Sequence, residues 1–293
     1  MPAQDTNTVD EDRSPAVTSP NVSDELQIQP SGFLIVMSLD WIVLRASENV
    51  DDFLGESHVT LIEEPLSRFV QAQALHDLRN HFSQLSGSTG IARAYRVRLT
   101  DDRPRFDIAF QVSNGRVLLE AVPSPKEGLG EAIGSVGGLI ESLSEYRADP
   151  LLKEAARRMR ALTGCDRCLV ECGERRAQSS RDRSAPSDEI PDLPALVTDT
   201  AAGPVPVFPR KPDDRSMMHA LLRSPAAESL QLLRDQGIGS VVTVPLTLEG
   251  QPPGVIQCAS RTPRGPSFEL HAAAELFAQM LAMRLEVDHL RGA

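Results

Sequence analysis

The chain has 293 residues, 41% of them apolar, and a formal net charge of -11 at pH 7. That length predicts two domains of ordinary size, each with its own core. The acidic balance excludes a nucleic-acid surface, which needs clustered Lys and Arg, and no run of about 18 apolar residues is present to make a membrane helix.

Residues 1–27 hold six acids, one Arg and three Pro among few apolar residues. A disordered acidic tail is expected, with ordering against the body or a partner as the alternative. Such a start does not read as a secretory signal. Order is expected from Ile28. Phe33–Leu39 and Trp41–Leu44 are β-prone, Ser47 is placed as the cap of a helix from Glu48 to Leu54, and Gly55 ends it. A helical stretch from Pro65 to Leu85 follows. Then come strands at Arg93–Leu99, Arg105–Val112 and Arg116–Val122, the last two joined by the hairpin signal Asn114-Gly115.

A linker helix is predicted from Gly130 to Tyr146. Leu129, Ile133, Val136, Ile140 and Leu143 alternate steps of four and three, a coiled-coil seam. Asp149 and Pro150 are placed as cap and first residue of a helix reaching Leu162. Further on, a helix closes at Gly237. The β-branched runs Val241–Leu248 and Val255–Cys258 flank a Gly- and Pro-rich turn and read as a hairpin of buried strands. From Phe268 to about Leu290 the chain reads as helix. There Ala273, Leu276, Met280, Met283, Val287 and Leu290 form a second seam, or else one face packs on the chain's own sheet. Two seams predict a parallel helical homodimer.

The four cysteines are Cys165, Cys168, Cys172 and Cys258. Their clustering is not a secreted disulfide framework, so a reduced cytoplasmic setting is expected. Four thiols match the count of a zinc site. Strand alternation, however, puts Cys168 and Cys172 on one face and Cys165 on the other, so no metal is expected and buried core thiols are the reading, with a redox-sensing Cys165 or Cys168 pair as the alternative. Gly128, Gly130 and Gly134 are spaced one residue too long for a dinucleotide fingerprint and lie outside any βαβ unit. The six histidines are scattered. None joins a Ser or Cys and an acid in a catalytic constellation, so surface or capping roles are expected and no enzyme.

Strands, helices and three antiparallel strands give the order of a PAS domain, and the final helix, hairpin and helix resemble the end of a GAF domain. Ile28-Gln29-Pro30-Ser31-Gly32 and the following strand, with Ser47, Asn49, Leu54 and Gly55, resemble the opening of the bacteriophytochrome PAS domain, with Ser31 in place of the usual His. Leu162–Val170, Val197–Pro206, Leu222-Arg223-Ser224, Leu233–Ile238 and Cys258-Ala259-Ser260 resemble bacteriophytochrome GAF segments in the same order. The resemblance runs from about Ile28 to about Leu290. It implies an α+β fold: a tail over 1–27, a PAS domain over 28–125, a linker helix over 126–147, a GAF domain over 148–268 and a C-terminal helix over 269–293. Each domain is an antiparallel sheet flanked by helices. It also implies a knot, with the chain before Ile28 passing through a GAF loop.

That family holds biliverdin, a linear tetrapyrrole, in its GAF domain. The resemblance places the equivalents of its pocket at Asp188, Ile190, Pro191, Ser229 and Ser260, the two serines standing for family histidines. No cysteine occupies either attachment position, residues 1–27 having none and Glu228 standing at the second. The pocket-wall segment after Pro191 is short, and Asp188, Arg210 and Lys211 also read as solvated loop charges. The resemblance therefore implies a phytochrome-like sensory module that cannot attach biliverdin covalently and expects no cofactor. It would act as a dimer through protein contacts on an output partner. Two alternatives are a photoreceptor that holds biliverdin or another bilin noncovalently, and a GAF regulator of another small ligand.

Overall fold

The computed structural model describes residues 27–83, 85, 90–125, 130–181, 193–211, 219–248 and 253–292. The tail before Gln27, Leu129, and the pocket equivalents Asp188, Ile190 and Pro191 lie outside the described residues.

The first half holds β1 (Gln27–Ile28), β2 (Phe33–Met37), β3 (Val43–Ser47), α1 (Val50–Leu54), α2 (His58–Leu61), α3 (Ala72–Ser83), β4 (Ala92–Val97), β5 (Phe106–Ser113) and β6 (Arg116–Pro123). Asn114 and Gly115 both take positive φ, 50° and 70°, so a two-residue turn joins β5 to β6 with Ser113 opposite Arg116. Three local expectations are corrected. Ser47 belongs to β3, where its hydroxyl accepts the Leu34 N–H at 3.0 Å. The position before α1 falls to Asn49, whose side chain instead donates to Gly32 O at 3.0 Å. The stretch from Pro65 is a 3-10 turn at Leu66–Arg68, and α3 begins only at Ala72. The second strand starts at Val43 rather than Trp41, because Trp41 sits at φ 66° in the preceding turn.

The second half holds α4 (Gly130–Glu141), α5 (Ala148–Thr163), β7 (Arg167–Cys172), β8 (Arg175–Ser180), β9 (Leu196–Val197), β10 (Val205–Phe208), α6 (Ala227–Asp235), β11 (Ser240–Leu246), β12 (Gly254–Ser260) and α7 (Phe268–Gly292). Arg147, not Asp149, precedes α5, since the helix opens two residues earlier than the Asp-Pro pair suggests. β11 and β12 pair antiparallel from Ser240–Ser260 to Leu246–Gly254.

Two antiparallel sheets result. One runs β8-β7-β12-β11-β9; the other runs β1-β10-β3-β2-β6-β5-β4. The second is not made by the first half alone. β10 lies between β1 and β3, with Ile28 opposite Val205 and Val207 opposite Ser47. Arg45, buried on β3, donates to the carbonyls of Pro209 (2.9 Å) and Val207 (3.4 Å).

Alternation along β5 and β6 sorts their side chains. Ile108, Phe110, Val117, Leu119 and Ala121 enter the core under α1 to α3. Ala109, Leu118 and Val122 face a junction with Ile28, Leu196, Val207, Leu221, Leu222 and Phe268. Residues 27–29 run through this junction with partners on both sides. β1 pairs with β10, Ile28 bridges Arg223, and Gln29 N–H donates to Leu222 O at 2.8 Å. Gly32 is required here, since a Cβ would meet Ala121 O at 2.4 Å.

Candidate functional site

The five-stranded sheet has two faces, and β-strand alternation assigns every residue to one of them. On one face, α5, α7 and α4 cover Cys168, Val170 and Cys172 of β7, Val244 and Leu246 of β11, and Ile256 and Cys258 of β12. On the other, Leu193 and the α6 residues Leu230 and Leu233, with Ile238, cover Val197, Val241 and Ala259.

Cross-strand pairing extends the second face. Arg167, Ala259, Val241 and Val197 lie in one row, and Leu169, Gln257 and Thr243 in the next. This face therefore carries buried polar groups within an apolar setting: Arg167 and Gln257 are 8% and 4% exposed. Thr243 Oγ1 is buried without a hydrogen-bond partner among the described residues. Ser229, on α6, is half-buried on this side.

Ser260 is not on this side, which corrects its placement as a pocket residue beside Ser229. It shares the parity of Ile256 and Cys258 and lies against Cys165 in the α5/α7 core. Its hydroxyl is buried with no partner of normal hydrogen-bond geometry among the described residues, and its nearness works to lower the Cys165 thiol pKa against the larger effect of burial. The residue of that tripeptide on the α6 face is Ala259. One step along a strand reverses the side, and sequence alignment alone gave no sign of which step to take.

All four cysteines are free thiols buried in the α5/α7 core. Cys165 joins Cys168 and Cys258 there, contrary to its expected place on the opposite face, because it precedes β7 and strand alternation does not govern it. Cys168 stands directly opposite Cys258. Burial pushes the thiols of Cys165 and Cys168 up, Cys168 far up, and the neighbouring Cys258 adds to both. Thiols so placed are poor nucleophiles. Among the described residues no group of three or more His, Cys, Asp or Glu is arranged to hold a metal ion.

None of the six histidines lies on α6, β7, β8, β9, β11 or β12. His271, expected at the surface, is 1% exposed on α7. Burial lowers its pKa, and the Arg93 guanidinium pushes the same way against Glu275. The neutral ring accepts from Arg93 Nη2 at Nδ1 (3.2 Å) and donates from Nε2 to Thr243 O (3.3 Å). Arg93, on β4, also pairs with Glu275 at 2.5 Å. This cluster joins the seven-stranded sheet to α7 and to the far sheet.

The expected helix seams are partly used within the chain. Val136 and Leu143 are fully buried, and Ile140 packs with them against α7. Those positions are not a free face, because α4 folds back on α7. Ala273 is fully buried too and Met280 partly. Leu276, Met283 and Val287 stay exposed, at 37%, 66% and 40%. Ile133 lies on α4 and Leu290 on α7.

A PAS fold model matches residues 21–123 and a GAF domain model residues 147–288. The chain is a phytochrome-like PAS–GAF module. It is 21% identical over 291 residues to cyanobacterial phytochrome B of Nostoc sp., covering 88% of this chain and 38% of that protein. It is 24% identical over 289 residues to phytochrome-like protein Cph1 of Synechocystis sp., covering 87% and 38%. The chain thus spans under two-fifths of the length of the curated relatives it matches. The chromophore-binding domain of the bacteriophytochrome RpBphP3 from R. palustris superposes with a TM-score of 0.75 at 24% identity, covering 90% of this chain and 96% of that one. The PAS–GAF module has no helix, among the described residues, long and apolar enough to cross a membrane.

Within this frame the seven-stranded sheet is the PAS sheet plus two strands, β1 and β10, of which β10 comes from the GAF half. The polar groups that join the halves were missed in the sequence. One signal available was a charged residue, Glu120, in the middle of the apolar run from Val117 to Pro123.

Proposed function

We propose that the chain is a sensory and signal-transducing module that works through protein contacts and does not bind biliverdin through a thioether. The observation that supports this most directly is the side of the GAF sheet on which the sulfur lies. Every cysteine of the sequence sits in the α5/α7 core, behind the sheet as seen from α6, with raised thiol pKa where a shift is resolved. A ligand on the α6 face would meet Ala259, Thr243, Gln257 and Arg167 instead. No imidazole stands on those strands.

The buried, unpartnered Thr243 hydroxyl favours a second reading, a noncovalent small ligand on that face, a bilin among the candidates. One experiment separates the two. The purified protein is mixed with excess biliverdin, desalted, illuminated with red light, and then denatured on a gel stained for bilin fluorescence. The proposal expects no fluorescent protein band. A band that survives denaturation overturns it. Absorbance that survives desalting but not denaturation selects the noncovalent reading.

Output is proposed to pass through α7 to a separate protein partner, with α7 pairing in a homodimer. The exposed stripe of Leu276, Met283 and Val287, spaced seven and four, is the part of the seam left available among the described residues. No residue is proposed to carry turnover.

A further inference from the structure

Along β6, Glu120 shares the face of Leu118 and Val122 and is fully buried in the apolar PAS–GAF junction. Its carboxylate is aimed at one strip of the GAF half. Oε1 accepts the Leu222 N–H at 2.7 Å and Oε2 the Leu221 N–H at 2.9 Å. Gln111 Nε2 lies 3.4 Å from Oε2 and also donates to His219 O at 3.0 Å. The same strip grips the start of the PAS domain from its other side. Leu222 O accepts Gln29 N–H, Arg223 O accepts Gln29 Nε2, and Ser224 N–H donates to Gln27 O.

The surroundings supply few charges. β2 presents Leu34 opposite Glu120. β5 presents Ala109 in the same row, with Gln111 and Asp107 on either side, and Asp107 accepts from Arg96 N–H and the Ser124 hydroxyl. β4 presents Arg93 beyond Ala109, and Tyr95, whose phenol burial pushes up to about 12. α7 presents His271 and Glu275, which contact Arg93, and Glu269 near Tyr95. The strip itself carries His219, whose side chain is exposed, and Arg223, which is half-buried, and β3 presents the buried Arg45 opposite Val36 on the same face.

We propose that Glu120 is a proton-operated latch between the PAS sheet and the GAF strip 219–224. Ionised, both its oxygens accept backbone N–H groups. When it takes a proton from solvent, one oxygen becomes an O–H donor and a much weaker acceptor, so its bond to the facing N–H weakens and the strip loosens around Gln27–Gln29. The operating range is near neutral. Burial raises the carboxyl to about 7, against the opposing pull of the Leu222 and Leu221 N–H groups and of Arg93. The module would thus sense pH at the junction, whatever occupies the α6 face.

The test is an NMR titration of the full chain between pH of about 5 and 9, following the Glu120 carboxyl carbon and the Leu221 and Leu222 amides. The latch expects all three to titrate together with a midpoint near 7, at least one of the two amide protons moving upfield on acidification. Arg93→Gln should raise the midpoint, and His219→Asn should leave it unchanged. Glu120→Gln should abolish the amide transition. A carboxyl carbon flat across this range overturns the proposal, and so do amides that stay still while it titrates. If Glu120→Gln does not fold, the wild-type carboxyl carbon decides alone.

Discussion

The α5/α7 core and the PAS–GAF junction are both buried, yet they are built differently. The core is filled by aliphatic side chains, Met159, Phe277 and thiols. The junction sets polar groups among its apolar side chains: Gln29, Glu120, Gln111, Thr198, Arg93 and His271. A core within one domain needs the right volume and little else. Two halves that must dock in one register use directional bonds, because a buried polar group left without its partner costs stability. Gln29 shows the principle: its carboxamide donates to Leu196 O and Arg223 O and accepts from Thr198 N–H and Oγ1.

The largest effect expected from this contrast is in the core. Phe277→Ala should cost about 3–5 kcal/mol by chemical denaturation, through lost burial and the cavity left behind. The loss should be the same at every pH near neutral, since Phe277 sits in a cluster of apolar side chains and buried thiols. Gln29→Leu should cost somewhat less, about 2–3 kcal/mol, by leaving Thr198 N–H and two carbonyls unpaired. A neutral result would mean the junction is held by apolar area like the core.

The pH dependence should come from the junction. Folded Glu120 keeps its proton up to about 7, against 4.5 for the ordinary group. Between those values the folded state binds more protons than the unfolded one, so stability falls as pH rises through the window, by roughly 3 kcal/mol in all. His271 works in the opposite sense. Its pKa is lowered from 6.5, so its contribution is present above that value and is lost as pH falls below it. Glu120→Gln should remove the first slope and leave the second, measured as unfolding free energy against pH. An unchanged slope would place the titrating group elsewhere.

The smallest effect on stability is expected on the outer side of α7. Met283 is 66% exposed, so Met283→Asp should change unfolding free energy by no more than about 0.5 kcal/mol. Its reading is sedimentation velocity. Conversion of dimer to monomer supports the α7 stripe as the interface, and an unchanged mass rejects it.

Much of the fold was legible in local pattern. The Asn114-Gly115 turn, the β11–β12 hairpin and the long final helix each follow from a few neighbouring residues, and they stand close to their expected bounds. The candidate site was less legible. Ser229 and Ser260 were expected together, and the sheet lies between them. Val136 and Leu143 carried the same seam pattern as Met283, and the pattern does not say whether the facing helix belongs to the same chain.

The sequence by itself determined the main hairpins and the long helices, and how side chains alternate along the strands, because turn chemistry and hydrophobic period act between near neighbours. It also determined that the chain carries four thiols and no imidazole on the GAF strands. Only the tertiary structure decided which side of β12 meets α6, that β10 completes the PAS sheet, and that Glu120 closes on Leu221 and Leu222. Those outcomes depend on pairing between residues as far apart in the chain as Gln27 and Pro206, for which no local period carries the information.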